Sequence, residues 1–186
     1  MAHDASRGAA VAHGAESRWA ILVGAIVLFL VGMMAYMSLH WAAMPPVRTE
    51  TIDPGTLHIS GEFIESNLGS SVEPDGTVMV RVLANQYSFT PSCLLVPKDT
   101  PIHIRGTAAD VVHGFSIGKS NVNVMLLPGY ISNFRTKFEQ TGEHVMPCHE
   151  YCGVGHAAMW ARVKIVEKAE FMRQAANGRR LSCVGQ

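Results

Sequence analysis

The chain has 186 residues, with 15 Lys and Arg balancing 15 Asp and Glu, and only 16% of its residues are charged. A neutral chain of this kind lacks the basic footprint of a nucleic-acid binder. The length allows one domain of ordinary size with extensions.

Residues 1–18, rich in Ala, Gly and His, read as a loose tail. Between Arg18 and Arg48 there is no Asp, Glu, Lys or Arg, and Trp19 to Trp41 is almost wholly apolar. As a helix this stretch would be about 35 Å long at about 1.5 Å per residue, enough to cross a hydrocarbon core of roughly 30 Å with modest tilt. Trp19, Tyr36 and Trp41 fall where interfacial aromatic anchors belong, and Pro45-Pro46 stops the helix beyond them. The apolar core of a cleaved signal peptide runs only ~7–15 residues, so residues 19–41 are expected as a retained membrane anchor. Arg7 and Arg18 before it and Arg48 after it leave only a faint charge signal for orientation.

Residues 42–75, with Pro45, Pro46, Pro54, Gly55 and Gly69, read as an extended linker. A series of short alternating runs follows. Val78, Val80 and Val82 share one face; Ile102-His-Ile-Arg105 alternates; Phe134 and Phe138 point inward while Arg135 and Lys137 point out; Arg162-Val-Lys-Ile165 repeats the pattern. Period two marks half-buried strands. Turn signals at Pro74-Asp75-Gly76, Pro97-Lys-Asp99, Pro128-Gly129 and Thr141-Gly142 separate them. Residues 76–167 are therefore expected to form an all-β sandwich or barrel. Lys168–Ala176 has helix-forming composition with a stop at Asn177-Gly178, and Arg179 and Arg180 make 168–186 a basic tail, expected to be solvated.

Chemistry concentrates in Cys148-His-Glu-Tyr-Cys152-Gly-Val-Gly-His156-Ala-Ala-Met159, which holds two cysteines, two histidines and a methionine within twelve residues. Thiolate and thioether beside imidazole favour copper, and a mononuclear blue-copper site would need only one of the cysteines. Two thiolates can instead bridge two metal ions with one imidazole on each. His156 suits one of them. His149, squeezed between the cysteines, is badly placed for the other, and His113 in Val111-Val112-His113-Gly114-Phe115 is the candidate. Such a centre exchanges one electron with little rearrangement, so electron transfer is expected. Zinc fits the Cys and His count but has no use for Met159. Haem attachment requires C-x-x-C-H, whereas three residues separate these cysteines and Gly153 follows. A Cys148–Cys152 disulfide is allowed outside the cytoplasm.

These residues resemble the copper A domain of cytochrome c oxidase subunit II, and the single-anchor form found in B-family haem–copper oxidases in particular. The likeness runs through Arg48-Thr-Glu-Thr-Ile-Asp53-Pro54, Ala84-Asn-Gln-Tyr87-Ser-Phe89-Thr-Pro91, Val96-Pro97, Asp110-Val-Val-His113-Gly114-Phe115, Asn121-Val-Asn123-Val, Leu127-Pro128-Gly129, the metal motif and Val163-Lys-Ile-Val166. It implies a cupredoxin-like Greek-key β-barrel behind one N-terminal transmembrane helix. It implies a dinuclear copper A centre with Cys148 and Cys152 as bridging thiolates, His113 and His156 as terminal imidazoles, and Met159 and the backbone carbonyl of Glu150 as weak ligands. Glu rather than Gln at position 150 departs from the B-family pattern and leaves a magnesium role open beside that of an inward-turned, hydrogen-bonded carboxylate. Tyr87 aligns with an aromatic near the electron-entry face, and Trp160 is expected to join it in an apolar docking patch.

The expected function is that of a membrane-anchored electron-entry subunit of a respiratory oxidase. The donor would be cytochrome c or a small copper protein, and the acceptor haem in a catalytic subunit I. The copper domain would lie on the outer, periplasmic face of the cell's inner membrane and residues 1–18 in the cytoplasm. A copper A subunit of a haem–copper nitric oxide reductase and a copper chaperone or storage domain are the alternatives. Cys93 reads as a small buried hydrophobe, although pairing with Cys183 is chemically allowed outside the cytoplasm. His103, His144 and His149 read as surface or hydrogen-bonded histidines.

Overall fold

A computed structural model describes residues 2–41 and 50–184. The proposed helix stop at Pro45-Pro46 and the nearby Arg48 lie outside these residues. Helix α1, Ala2–Trp41, and the β domain are separate units. The apolar part of the helix, His13–His40, has a mean hydropathy of 2.5 and buries none of its window within the chain, as a helix built for a lipid environment should. Trp19 and Tyr36 are exposed. The helix begins at Ala2, so the stretch expected as a loose tail continues it; alanine is the strongest helix former and its abundance there explains the extension.

The β domain contains β1 (Glu50–Thr51), β2 (Gly69–Val72), β3 (Val78–Asn85), β4 (Ser88–Thr90), β5 (Cys93–Pro97), β6 (Ile102–Ala108), β7 (His113–Ser116), β8 (Asn123–Leu126), β9 (Tyr130–Thr136), β10 (Gly142–Pro147) and β11 (Trp160–Val166), followed by α2 (Lys168–Ala175). One sheet has the order β1-β9-β6-β3-β2 with β4 added to β3, a second has the order β10-β11-β5, and β7 and β8 form a separate hairpin. The pairs β3–β6 and β5–β11 are parallel, which requires crossover connections rather than hairpins. Val78, Val80 and Val82 are fully buried with Ile102, Ile104, Phe115, Val163 and Ile165 in one core. The alternation read from the sequence thus places the inward faces of β3, β6 and β11. Phe138 is buried, while Phe134 is partly so.

Two stretches differ from expectation. Residues 50–75 are folded against the sheet: β1 pairs with β9, β2 pairs with β3, and Leu57, Phe63 and Leu68 bury themselves with Leu83 in a second small core. Three large apolar side chains supply the driving force that a solvated linker lacks. Of the 168–186 segment, residues 168–184 are likewise docked: Phe171 is fully buried, Leu181 bridges to Ser70, Ser182 bridges to Leu94, and Cys183 is disulfide-bonded to Cys93. Cys93 is buried as expected, but as half of a disulfide.

Candidate metal centre

Strand β10 runs into Cys148 and β11 leaves from Trp160, so the loop between them is held at both ends by adjacent paired strands. Its base is closed by the Cys148 amide, which donates to the Met159 carbonyl at 3.0 Å. His113 opens β7 and is fully buried. The next residue must be small: a Cβ on Gly114 would stand 2.5 Å from His149 Nδ1 and 2.7 Å from the Glu150 amide nitrogen. Glycine therefore lets the loop lie directly on β7.

This packing brings the sequence-derived candidates together. The sulfurs of Cys148 and Cys152 are 3.9 Å apart. His113 Nδ1 lies 3.9 Å from Cys148 Sγ, and His156 Nδ1 lies 3.6 Å from Cys152 Sγ. Met159 Sδ is 3.6 Å from Cys152 Sγ, and the Glu150 carbonyl oxygen is 3.2 Å from Cys148 Sγ. One donor atom each from His113, Cys148 and Cys152 falls within 4.8 Å of the others, a candidate His/Cys/Cys metal site. Cys148, Cys152 and Met159 are buried, while His156 is half-buried. Burial, and after it the neighbouring Cys148, pushes the Cys152 thiol up to about 11. A soft metal ion must displace the Cys152 proton to bind.

Supporting groups fix the donors. Asp110 Oδ1 meets His113 Nε2 at 2.9 Å and also accepts from the Val111 amide, while its Oδ2 accepts from the Gln86 amide. Burial disfavours the Asp110 carboxylate, yet hydrogen bonds from His113, Gln86 and Val111 outweigh it and hold the carboxyl below its ordinary range. The Gln86 side-chain amide donates to the Cys152 carbonyl. Tyr87 lies on the loop: Cβ atoms on Gly153 and Gly155 would stand 2.6 Å from its hydroxyl and 2.5 Å from its ring. Trp160 is 59% exposed and its Nε1 donates to the Ala157 carbonyl at 2.8 Å.

Sequence reasoning named the six donor-bearing residues but missed the roles of Asp110, Gln86, Gly114, Gly153 and Gly155. The three-residue spacing of Asp110 and His113 was the available signal. One expectation is corrected: the Glu150 side chain is exposed rather than turned inward, because its backbone carbonyl, not its carboxylate, faces the cysteine sulfur. His149 is exposed within the loop, and His103 and His144 lie away from it on β6 and β10.

A β-sandwich presenting a Cys, His and Met loop at one end defines a domain of the cupredoxin-like class with a candidate metal site. The family model for the cytochrome c oxidase subunit II periplasmic domain matches residues 78–166. A cytochrome c oxidase subunit 2 of Thermus thermophilus is 30% identical over 154 residues, covering 82% of this chain and 92% of the relative. Another subunit 2 sequence from Thermus thermophilus is 31% identical over 132 residues, covering 70% of this chain and 98% of the relative. Among solved structures, a chain of a haem–copper terminal oxidase dimer determined by cryo-electron microscopy aligns with a TM-score of 0.55 at 25% identity, covering 82% of this chain and 99% of that one.

The chain belongs to the cytochrome c oxidase subunit II family. It is thus the electron-entry subunit of a haem–copper oxidase, an oxidoreductase complex that includes a catalytic partner subunit. One apolar helix joined to a domain of a periplasmic family fits a single-pass membrane protein.

Proposed function

We propose that Cys148, Cys152, His113, His156, Met159 and the Glu150 carbonyl hold a dinuclear copper A centre. It would take electrons from cytochrome c or a small copper protein on the outer face of the inner membrane, for delivery to haem in subunit I. The observation that carries this reading is the pair of sulfurs 3.9 Å apart with one imidazole nitrogen beside each. The donor set is soft and mixed with imidazole, the set that copper favours. When bound to these residues, copper would supply acceptance and release of one electron at a time, with little change in the geometry of its protein donors.

The residues of the chain prepare that exchange. Asp110 fixes the ring of His113, so Nδ1 faces the cysteines. Gln86 and Tyr87 pin the Cys152–Gly155 turn from outside. Burial of both cysteines and Met159 excludes water. A loop fixed this way has little to reorganise when the charge changes, and preorganised sites cost less to charge than mobile ones. Tyr87 and Trp160 are exposed beside the loop and are assigned to electron entry. The Glu150 carboxylate is exposed, and the family resemblance leaves it a separate role in holding a magnesium ion at the boundary with subunit I.

Relatives named as oxidases favour oxygen over nitric oxide as the final acceptor. The closed, buried donor set favours retention of metal over the labile binding that a chaperone or store needs. Copper loading should give two coppers per chain and a paramagnetic resonance signal from one spin shared by two equivalent nuclei. A single-copper signal, or stoichiometric zinc in protein made with ample copper, refutes the assignment. Magnesium should be lost from the assembled complex on Glu150→Gln while copper stays.

A further inference from the structure

The two sheets end on one side at β2 and β5, which pack against each other without sharing a ladder. Residues 181–183 fill this seam. The Ser70 amide donates to the Leu181 carbonyl at 2.9 Å, the Leu181 amide returns to Ser70 at 2.7 Å, and the Cys183 amide donates to the Cys93 carbonyl at 3.1 Å. One short segment is therefore bonded to β2 on one side and to β5 on the other. Gly69 makes room for it, since a Cβ there would stand 2.6 Å from the Leu181 carbonyl oxygen. Helix α2 packs across β5 and β2 with Phe171 fully buried, and Arg180 Nη1 reaches Glu73 Oε1 at 3.2 Å. The Cys93–Cys183 disulfide, joining residues 90 apart in sequence, fastens the segment to β5.

Three backbone hydrogen bonds are few to order so short a segment against its conformational entropy. Open edge strands are in addition a liability for pairing with other chains. A covalent tie removes much of the freedom of the detached state. We infer that residues 178–183 are a latch on the β2–β5 seam, that Cys93 and Cys183 are the modification site that locks it, and that its partner is a disulfide-bearing thiol oxidant outside the cytoplasm. In that step the two thiols lose two protons and two electrons and form the Cys93–Cys183 bond, while the oxidant's disulfide takes up both and becomes a dithiol. The Cys93–Cys183 pair is disulfide-bonded, while Cys148 and Cys152 are free cysteines. The two pairs sit on different parts of the fold, with the latch on β5 and the metal pair in the β10–β11 loop.

The oxidation step rests on the outward placement proposed above; the mechanical role of the latch does not. Full-length chain, alkylated at harvest, should show Cys93 and Cys183 protected until a reductant is added. Free Cys93 in a chain whose β domain is reached by external protease overturns the modification. A β domain sheltered from that protease would overturn the placement instead, and oxidation outside the cytoplasm with it. Hydrogen exchange on the purified full chain tests the latch itself. Reduction of the folded protein, or the Cys93→Ala/Cys183→Ala pair, should speed exchange at the Leu181, Cys183 and Ser70 amides by about a hundredfold. The Cys148 amide at the base of the metal loop should keep its rate. Unchanged exchange at the seam, or equal loosening of the metal loop, refutes the latch.

Discussion

Asp110 holds the Nε2 edge of His113 at 2.9 Å, and the opposite ring nitrogen, Nδ1, faces Cys148. With Nε2–H donating to the carboxylate, the lone pair sits on Nδ1, where a metal can take it. Asp110→Ala removes this constraint and the turn contacts to Gln86 and Val111. Metal affinity should fall by about 10- to 100-fold, measured by competition with a copper chelator. Asp110→Asn keeps an acceptor for His113 and should lose much less.

The strong and weak donors separate by substitution. Under the proposed copper A reading, Cys152→Ser takes away a sulfur that would bridge and should abolish the shared-spin signal. Met159→Leu conserves volume at a fully buried position. Copper should stay while the reduction potential shifts, because weak ligation and the apolar surround tune such sites. Burial holds the Cys152 proton with a value of about 11, so copper must expel it. Apparent affinity should therefore rise with pH across roughly pH 6 to 8, with proton release seen by calorimetry in two buffers of different ionisation heat.

Gly155 tests the seating of Tyr87. A side chain there collides with ring carbons at 2.5 Å and must displace either the ring or the loop. Gly155→Val should cost about 1–3 kcal/mol of stability, read from thermal unfolding, and broaden the paramagnetic signal. Combining it with Tyr87→Ala, which empties that space, should recover part of the loss.

Much of the candidate site was legible because residue type and spacing bring its members into one motif. Cys148, Cys152, His156 and Met159 stand in one short loop, and only His113 had to be sought elsewhere. The inward faces of β3 and β11 were legible for a similar reason, since alternation is local. The seam was not. Cys93 and Cys183 are 90 residues apart, and nothing near either cysteine names its partner. Leu57, Phe63 and Leu68 stand among prolines and glycines without a period, so their burial follows from tertiary packing alone. Gly114 and Gly155 matter because of what lies against them across the fold, which no neighbouring residue encodes.

Arg81 on β3 and Arg105 on β6 are direct neighbours in register. Glu62 contacts both, Glu50 also pairs with Arg105, and Glu73 joins Arg81 to Arg180. The hydrogen bond from Arg81, opposed by burial and aided by Ser71 and Arg180, holds the Glu73 carboxyl below its ordinary range. A lowered folded-state value means that its contribution is complete above the unfolded-state value and is lost as pH falls through the lowered one. Glu73→Gln should destabilise by about 1 kcal/mol at neutral pH. The difference from the parent should vanish in acid, as chemical denaturation at the two pH values would show.

Donor docking should depend only weakly on salt. The surface around the loop is apolar: Val154 is 97% exposed, Tyr151 74% and Trp160 59%. Acidic groups there are few, and apart from the exposed Glu150 they are engaged. Asp110 is bonded to His113, and Glu143 pairs with Arg162 at 3.1 Å. Steering by opposite charge needs a broad field of one sign and declines steeply with ionic strength. Exposed charges this sparse are largely screened in ordinary buffers. The rate of copper reduction by a cytochrome c, followed by stopped flow, should change by less than about tenfold between low and high salt. Trp160→Ala should slow it more than Glu143→Gln does. A steep fall with salt, joined to a large loss on neutralising Glu143, would mean that charge rather than apolar contact brings the donor to this face.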